Sequence, residues 1–226
     1  MIEYGATDLE RATIPMVKLI ASICMIIDHI GYVFFPEQIV WRLIGRLSMP
    51  LFAYSIARGY DHSKRKGTVQ RYMKHLLIFT AVSQYPYFMM RRIGWNIGLT
   101  WVFSLLLLIV VDRWKESLPR VAIECLTILV AAYLLNVDYG VCGVLMPFAL
   151  RPHRKYCNMF LATIVLWALY TLMNGVEGLI QVLSCAAVPL LHLVVPNDGK
   201  FRIHRRFYYM FYPAHILILI AIRQVL

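Results

Sequence analysis

KLIASICMIIDHIGYVFFPEQ, residues 18–38, decides how the rest of the chain is read. It is apolar for about the 20 residues that a membrane-spanning helix needs, yet it carries Asp28 and His29 side by side late in the run. Hydrocarbon makes an adjacent carboxylate and imidazole costly, so such a pair marks a functional site by default, with helix packing and proton relay as the other readings of His29. The run also lacks the basic leader and small-residue exit of a signal peptide: Glu3, Asp8 and Glu10 precede it against Arg11, so it is expected to stay as a helix.

The whole chain has the same character. Of its 226 residues 60% are hydrophobic and 15% are charged, with a mean hydropathy of +0.64. A soluble domain is about 45–50% apolar and about 25% charged, and a fold of this size could not hide the difference. The composition argues against a soluble enzyme, a disordered tail and a secreted disulfide scaffold. The five cysteines, Cys24, Cys125, Cys142, Cys157 and Cys185, are odd in number and contain no CxxC, so they read as small buried hydrophobes.

Nine spans are expected, roughly 16–35, 40–58, 72–90, 95–111, 119–136, 139–150, 158–174, 176–195 and 207–225. The sixth is short and contains Pro147. Charge orients them. Arg11 and Lys18 precede or open the first span. Most of the remaining basic residues fall in alternate loops: 58–74 with Lys64, Arg65 and Lys66, 113–120, 151–155 and 200–206. By the positive-inside rule the N-terminus is cytoplasmic and the C-terminus outside. The net charge of +11 is therefore mainly an orientation signal. No zinc finger, RNA-binding aromatic motif or basic helix points to nucleic acid. The expectation is an all-α polytopic membrane bundle, one domain over 1–226.

Against that background a few polar groups stand out: Asp28–His29 in the first span, Arg42 and Arg46 in the second, and His215 in the ninth, with Gln84, Asn96 and Asn174 as weaker cases. At about 1.5 Å per residue, His29 and Arg46 both lie roughly 9 Å below the outer face. The short turn between their helices makes them neighbours, with Arg42 one turn above Arg46. His215 lies roughly 12 Å above the inner end of its span. One reading makes Asp28 and Arg46 a structural ion pair. The other makes His29 a general base, its tautomer set by Asp28, with Arg46 and Arg42 either steadying developing negative charge or holding Asp28. His215 divides between function and a satisfied core histidine. The Lys64–Arg65–Lys66 cluster reads as topology or as a site for a polyanion such as a nucleotide. Serine-hydrolase, HExxH and Walker signatures are absent from the sequence, and no metal is expected.

The same polar sites carry a resemblance. KLIASICMIIDHIGYVFFPEQ, WRLIGRLSMPLFAYSIARGY (41–60), LLIFTAVSQYPY (76–87), DYGVCGVLMP (138–147) and RFYYMFYPAHILIL (206–219) together resemble the TraX family. Its named member acetylates pilin, and it is similar to a wider group of transmembrane acyltransferases acting on glycans. The resemblance implies an acyltransferase of the bacterial inner membrane. Acetyl-CoA would enter from the cytoplasm, and an exported pilin, peptide or glycan would be the acceptor. A membrane-embedded histidine would be central, here His29 with Asp28. On that reading CoA contacts are expected at Lys64, Arg65, Lys66 and His215, and a channel lined by Arg42, Gln84, Tyr87, Asp138 and Tyr212. A proton-coupled transporter with Asp28, His29 and Arg46 as relay, and a non-catalytic envelope assembly factor, are the alternatives. The absence of an internal repeat disfavours the transporter.

Overall fold

The computed structural model describes residues 15–92, 94–152, 154–195 and 205–225. Among these residues there are helices and turns and no strand. The first expected span is α1 (Pro15–Phe34). The second is two helices, α2 (Ile39–Gly45) and α3 (Ser48–Arg65). The next segments match single helices: α4 (Val69–Arg91), α5 (Ile97–Arg113), α6 (Leu118–Leu134), the ten-residue α7 (Gly140–Ala149) and α8 (Tyr156–Asn174). The eighth is again divided, into α9 (Val176–Val182), a 3₁₀ turn (Leu183–Ala186) and α10 (Ala187–Val194); α11 (Arg205–Val225) closes the chain. Expected basic residues Arg11, Lys200 and Arg202 lie outside the described residues.

The break in the second segment has a local cause. Pro50 has no N–H, and its ring would collide with the carbonyl of Arg46 in a continuous helix. The chain tightens instead, with the Leu47 amide reaching the Ile44 carbonyl at 3.3 Å, and α3 restarts so that Pro50 falls in its first turn. Arg46 therefore sits where the two helices meet.

Among the described residues two helices, Pro15–Phe34 and Tyr156–Asn174, are long and apolar enough to cross a membrane, with mean hydropathies of 1.7 and 1.6. The outward faces of α4, α6 and α8 continue that surface with exposed Leu77, Val82, Ile123, Leu126, Tyr133, Leu161 and Leu172. A water-facing protein seldom shows so much contiguous apolar surface, and the chain fits a membrane protein. The interior gathers around Leu51, Leu105, Leu108, Met146, Leu150, Trp167 and Leu191, where α3, α5, α7, α8 and α10 meet.

α1 lies across α2, α3 and α11. Small residues let it approach α2 closely, as in other membrane helix pairs. A Cβ on Gly31 would land on the Trp41 side chain, and one on Gly45 would land on Asp28. Gly45→Ala is therefore expected to push Asp28 off α2 and to cost about 1–3 kcal/mol by overpacking, read as a lowered melting temperature in detergent.

Candidate functional site

The joint at Arg46, the second half of α1, the end of α4, Tyr212 within α11 and the turn before α7 line a cavity of about 480 Å³. Asp28, His29, Arg42, Arg46, Tyr87, Asp138 and Tyr212 all line it. Seven residues placed apart in the sequence thus share one chamber.

Their pairings differ from the expected ones. Asp28 does not hold His29. Its Oδ2 accepts from Arg42 Nη1 at 3.2 Å, while Oδ1 is buried without a hydrogen-bond partner. Arg46 is not the partner of Asp28 either; its Nη1 donates to Tyr139 Oη at 3.3 Å, leaving Nε buried and unbonded. Arg46 stays one helical turn from Arg42, its amide bonded to the Arg42 carbonyl at 3.1 Å, so the two guanidiniums line one chamber while meeting different partners.

The partner of His29 is His215. His29 Nδ1 and His215 Nε2 are 2.7 Å apart, with the two rings within 3° of parallel. His215, 7% exposed, packs beside Tyr212 and Phe211, and its Nδ1 is 2.8 Å from the Phe211 carbonyl. These bonds assign the protons. A carbonyl can only accept, so His215 Nδ1 carries a hydrogen and, in the neutral ring, Nε2 offers a lone pair. His29 Nδ1–H then donates to it, and His29 Nε2 is left unprotonated. His29 lines the chamber; His215 stands behind it. His215, expected at a CoA site, is thus the support of His29.

Asp138 and Tyr139 enter by strained backbone. Tyr139 has φ 59° and Gly140 φ 54°, and left-handed geometry at a tyrosine costs about 1–3 kcal/mol. The Trp167 ring edge, the Arg46 bond and Thr100 Oγ1 donating to the Asp138 carbonyl at 2.8 Å hold the turn in place. Arg91 ends α4 inside the same chamber, over the Tyr32 ring at 5.1 Å and facing Asp138. Sequence inspection missed it because it sits at a helix end beside a second arginine. Gln181 also lines the chamber, with Oε1 buried and unbonded.

Gln84 does not line the chamber. Its amide is used on the turn between α4 and α5, donating to the Gly94 carbonyl at 3.0 Å and accepting from the Asn96 amide groups. Asn96, fully buried, caps α5 by accepting from the Gly98 amide at 2.8 Å. Both residues are fastenings for the helix turn.

A second cavity, of about 610 Å³, lies toward the other ends of α1, α3, α4 and α11. Its cations are Lys18, Lys66 and Arg71, with His62 and His75 among the tyrosines Tyr72, Tyr208 and Tyr209. Burial and the neighbouring Lys66, Arg65 and Arg58 push His62 below the usual imidazole range. Of the Lys64–Arg65–Lys66 cluster, Lys66 alone faces this space; Lys64 Nζ is paired with Asp112 at 2.7 Å. His62 and His75 were missed, and one had a signal: Arg71 and His75 are four apart and so share a face of α4.

The family model for the TraX protein matches residues 14–223. The chain is 24% identical to the probable fimbrial assembly protein FimC, serogroup H1, of Dichelobacter nodosus, over 92% of this chain and 95% of that one. It is 38% identical over 68 residues to an uncharacterized protein of Rickettsia prowazekii (strain Madrid E), a stretch covering 30% of this chain and 27% of that protein. No solved structure matches.

Proposed function

The chain belongs to the TraX family, and from that premise we propose that it is a membrane-embedded acyltransferase moving an acetyl group from acetyl-CoA to an amine or hydroxyl of an exported acceptor. The observation that carries this reading is the His29–His215–Phe211 chain, which in neutral rings puts the free lone pair on Nε2 of His29, a residue in the chamber wall. That is the form a general base must take.

In the proposed reaction the acceptor nitrogen or oxygen bonds to the acyl carbon and the C–S bond breaks. The thiolate leaves with the electron pair. The acceptor's proton passes to His29 Nε2 and then to the thiolate. His215 stabilises the transient imidazolium by accepting from Nδ1–H. Arg46 Nε–H, buried with no bond of its own, is free to donate to the oxygen on which negative charge develops. The cation-lined cavity, with Lys18, Lys66 and Arg71, is the place for the phosphates of CoA. Nine crossings of the bacterial inner membrane, with the N-terminus cytoplasmic, put that cavity on the acetyl-CoA side. Residues 139–150 then cross as the short α7, and the divided second and eighth segments cross as broken helices, which is tolerated where backbone is buried in protein. The name of the Dichelobacter relative favours a pilus or fimbrial component as acceptor.

The test uses the purified full chain. Acetyl-CoA is expected to raise its melting temperature, and exported pilins from cells that contain it are expected to be heavier, by roughly one acetyl group, than those from cells that lack it. No thermal shift and identical pilin masses would sink the enzyme. Defective fimbriae in the same deletion would then favour an assembly factor, the role the name of the Dichelobacter relative also suggests.

A further inference from the structure

The aspartates and arginines that line the His29 chamber are Asp28, Arg42, Arg46, Arg91 and Asp138. Three guanidiniums, which proteins do not deprotonate, thus face two carboxylates. Arg42 is engaged with Asp28 at 3.2 Å. Asp138 is left to serve two cations, and the charges of both Arg91 and Arg46 act on it. Among the described residues neither of those two arginines closes an ion pair with a carboxylate. Arg46 bonds to the Tyr139 hydroxyl instead, and Arg91 lies over the Tyr32 ring. The walls are one negative charge short, and a cation without a partner is costly inside a membrane. A proton on either aspartate, or a second one on a histidine, would only widen the deficit.

The transfer reaction does not supply the missing charge. As the oxyanion forms, the acceptor's proton charges His29, so the chamber gains one charge of each sign. When the proton reaches the departing thiolate, both are gone. The donor's phosphates belong to the other cavity, whose walls share Phe52 and Trp101 with this one. The anion is therefore left to the acceptor. We propose that an anionic group of the acceptor, a carboxylate or a phosphate carried close to the amine or hydroxyl that is acylated, binds at Arg91 and completes the charge balance with Arg46. The proposal rests on the acyltransferase reading above. Arg91 is steadied by Tyr32 and Tyr87, and its charge acts on His29, so an anion held there lies near the base. Its planar fork suits two oxygens of one anion. Arg46 Nε–H remains for the developing oxyanion.

The experiment uses the purified full chain in detergent, with acetyl-CoA as donor and release of free thiol as the readout. Two pairs of acceptor probes differ by one anionic group: glycylglycine against glycylglycinamide for a carboxylate, and phosphoethanolamine against ethanolamine for a phosphate. In at least one pair the charged member should show a kcat/KM roughly tenfold or more higher, the contribution of a hydrogen bond to a charged group. The pair that responds tells carboxylate from phosphate. Arg91→Gln should erase the difference, and Arg91→Lys, which keeps the charge and loses the fork, should retain part of it. A second measurement needs no turnover. N-acetylglycine or inorganic phosphate should raise the melting temperature of the wild type, N-acetylglycinamide should not, and Arg91→Gln should lose the response. Equal rates within both pairs, or anion shifts that survive in Arg91→Gln, overturn the subsite and leave the acyltransferase standing. A CoA thermal shift that disappears in Arg91→Gln gives Arg91 to the donor's phosphates and also overturns it. Anion binding at Arg91 with no transfer to any probe and no CoA thermal shift keeps the anion site and removes the enzyme.

Discussion

His29→Gln is expected to lower the acetyl transfer rate by roughly 10²–10⁴-fold, the usual contribution of a positioned general base. Acetyl-CoA binding, measured by thermal shift, should be unchanged, because His29 does not line the cavity of Lys18, Lys66 and Arg71 assigned to the phosphates. His215 gives the more discriminating result. It acts through His29, so its variants should reduce kcat with little change in KM for the donor. His215→Gln can still present an oxygen to His29 Nδ1–H and should retain more activity than His215→Leu, which leaves that hydrogen without an acceptor. A His215 that served only to fill space would show the reverse order, since leucine packs as well as histidine and glutamine does not. Equal wild-type rates for both His29 and His215 variants would remove the base from the mechanism.

The second large effect is on stability. At the far end of α5, Arg151 donates to Asp112 at 2.8 and 2.9 Å and to Asp61 at 2.8 Å, while Lys64 and Tyr60 also donate to Asp112. Arg151 thereby ties α3, α5 and the end of α7 together. Its side chain is 10% exposed, so Arg151→Met would leave two carboxylates facing each other with little water. Losing one side of such a buried network costs about 3–5 kcal/mol. The variant should melt well below the wild type in detergent, and Arg151→Lys should fall between, since it keeps the charge and loses the fork.

The same cluster sets a pH dependence. Burial alone would raise the Asp112 carboxyl, but the bonds from Arg151, Lys64 and Tyr60 outweigh it and hold it below the usual carboxylate range. The folded protein therefore binds that proton less readily than the unfolded chain, whose aspartates titrate near 3.9. The stabilisation is complete above about pH 4 and is lost as pH falls below it. Melting temperatures measured from pH 7 downward should fall below about pH 4 in the wild type, and less steeply in Asp112→Asn.

How much of this was legible in the chain depended on whether the signal was local. The helices could be read because each is an apolar run bounded by charged or turn-forming residues, and α1 falls within a residue of its expected limits. The polar residues that matter could be read because hydrocarbon makes each one conspicuous: Asp28, His29, Arg42, Arg46 and His215 were all singled out. Gln84 was conspicuous for the same reason and proved to fasten a turn. A polar residue in an apolar helix reports that it has a partner; it does not report which one.

The partners were the part that sequence could not supply. Asp28 and His29 are adjacent, so a carboxylate–imidazole pair was the natural reading, but neighbours in a helix point about 100° apart and meet different helices. Asp28 meets α2 through the space left by Gly45, and His29 meets α11, 186 residues later, through His215. Arg46 was visible, yet its bond to Tyr139 required knowing where α7 begins. The chain by itself determined an all-helical membrane protein, its family and the residues worth examining, because composition, periodicity and isolated charges are properties of short stretches. The tertiary structure alone decided that His215 supports His29, that Arg91 joins the chamber and that Phe52 and Trp101 stand between two cavities. Each of these is a meeting of distant segments, governed by packing rather than by spacing.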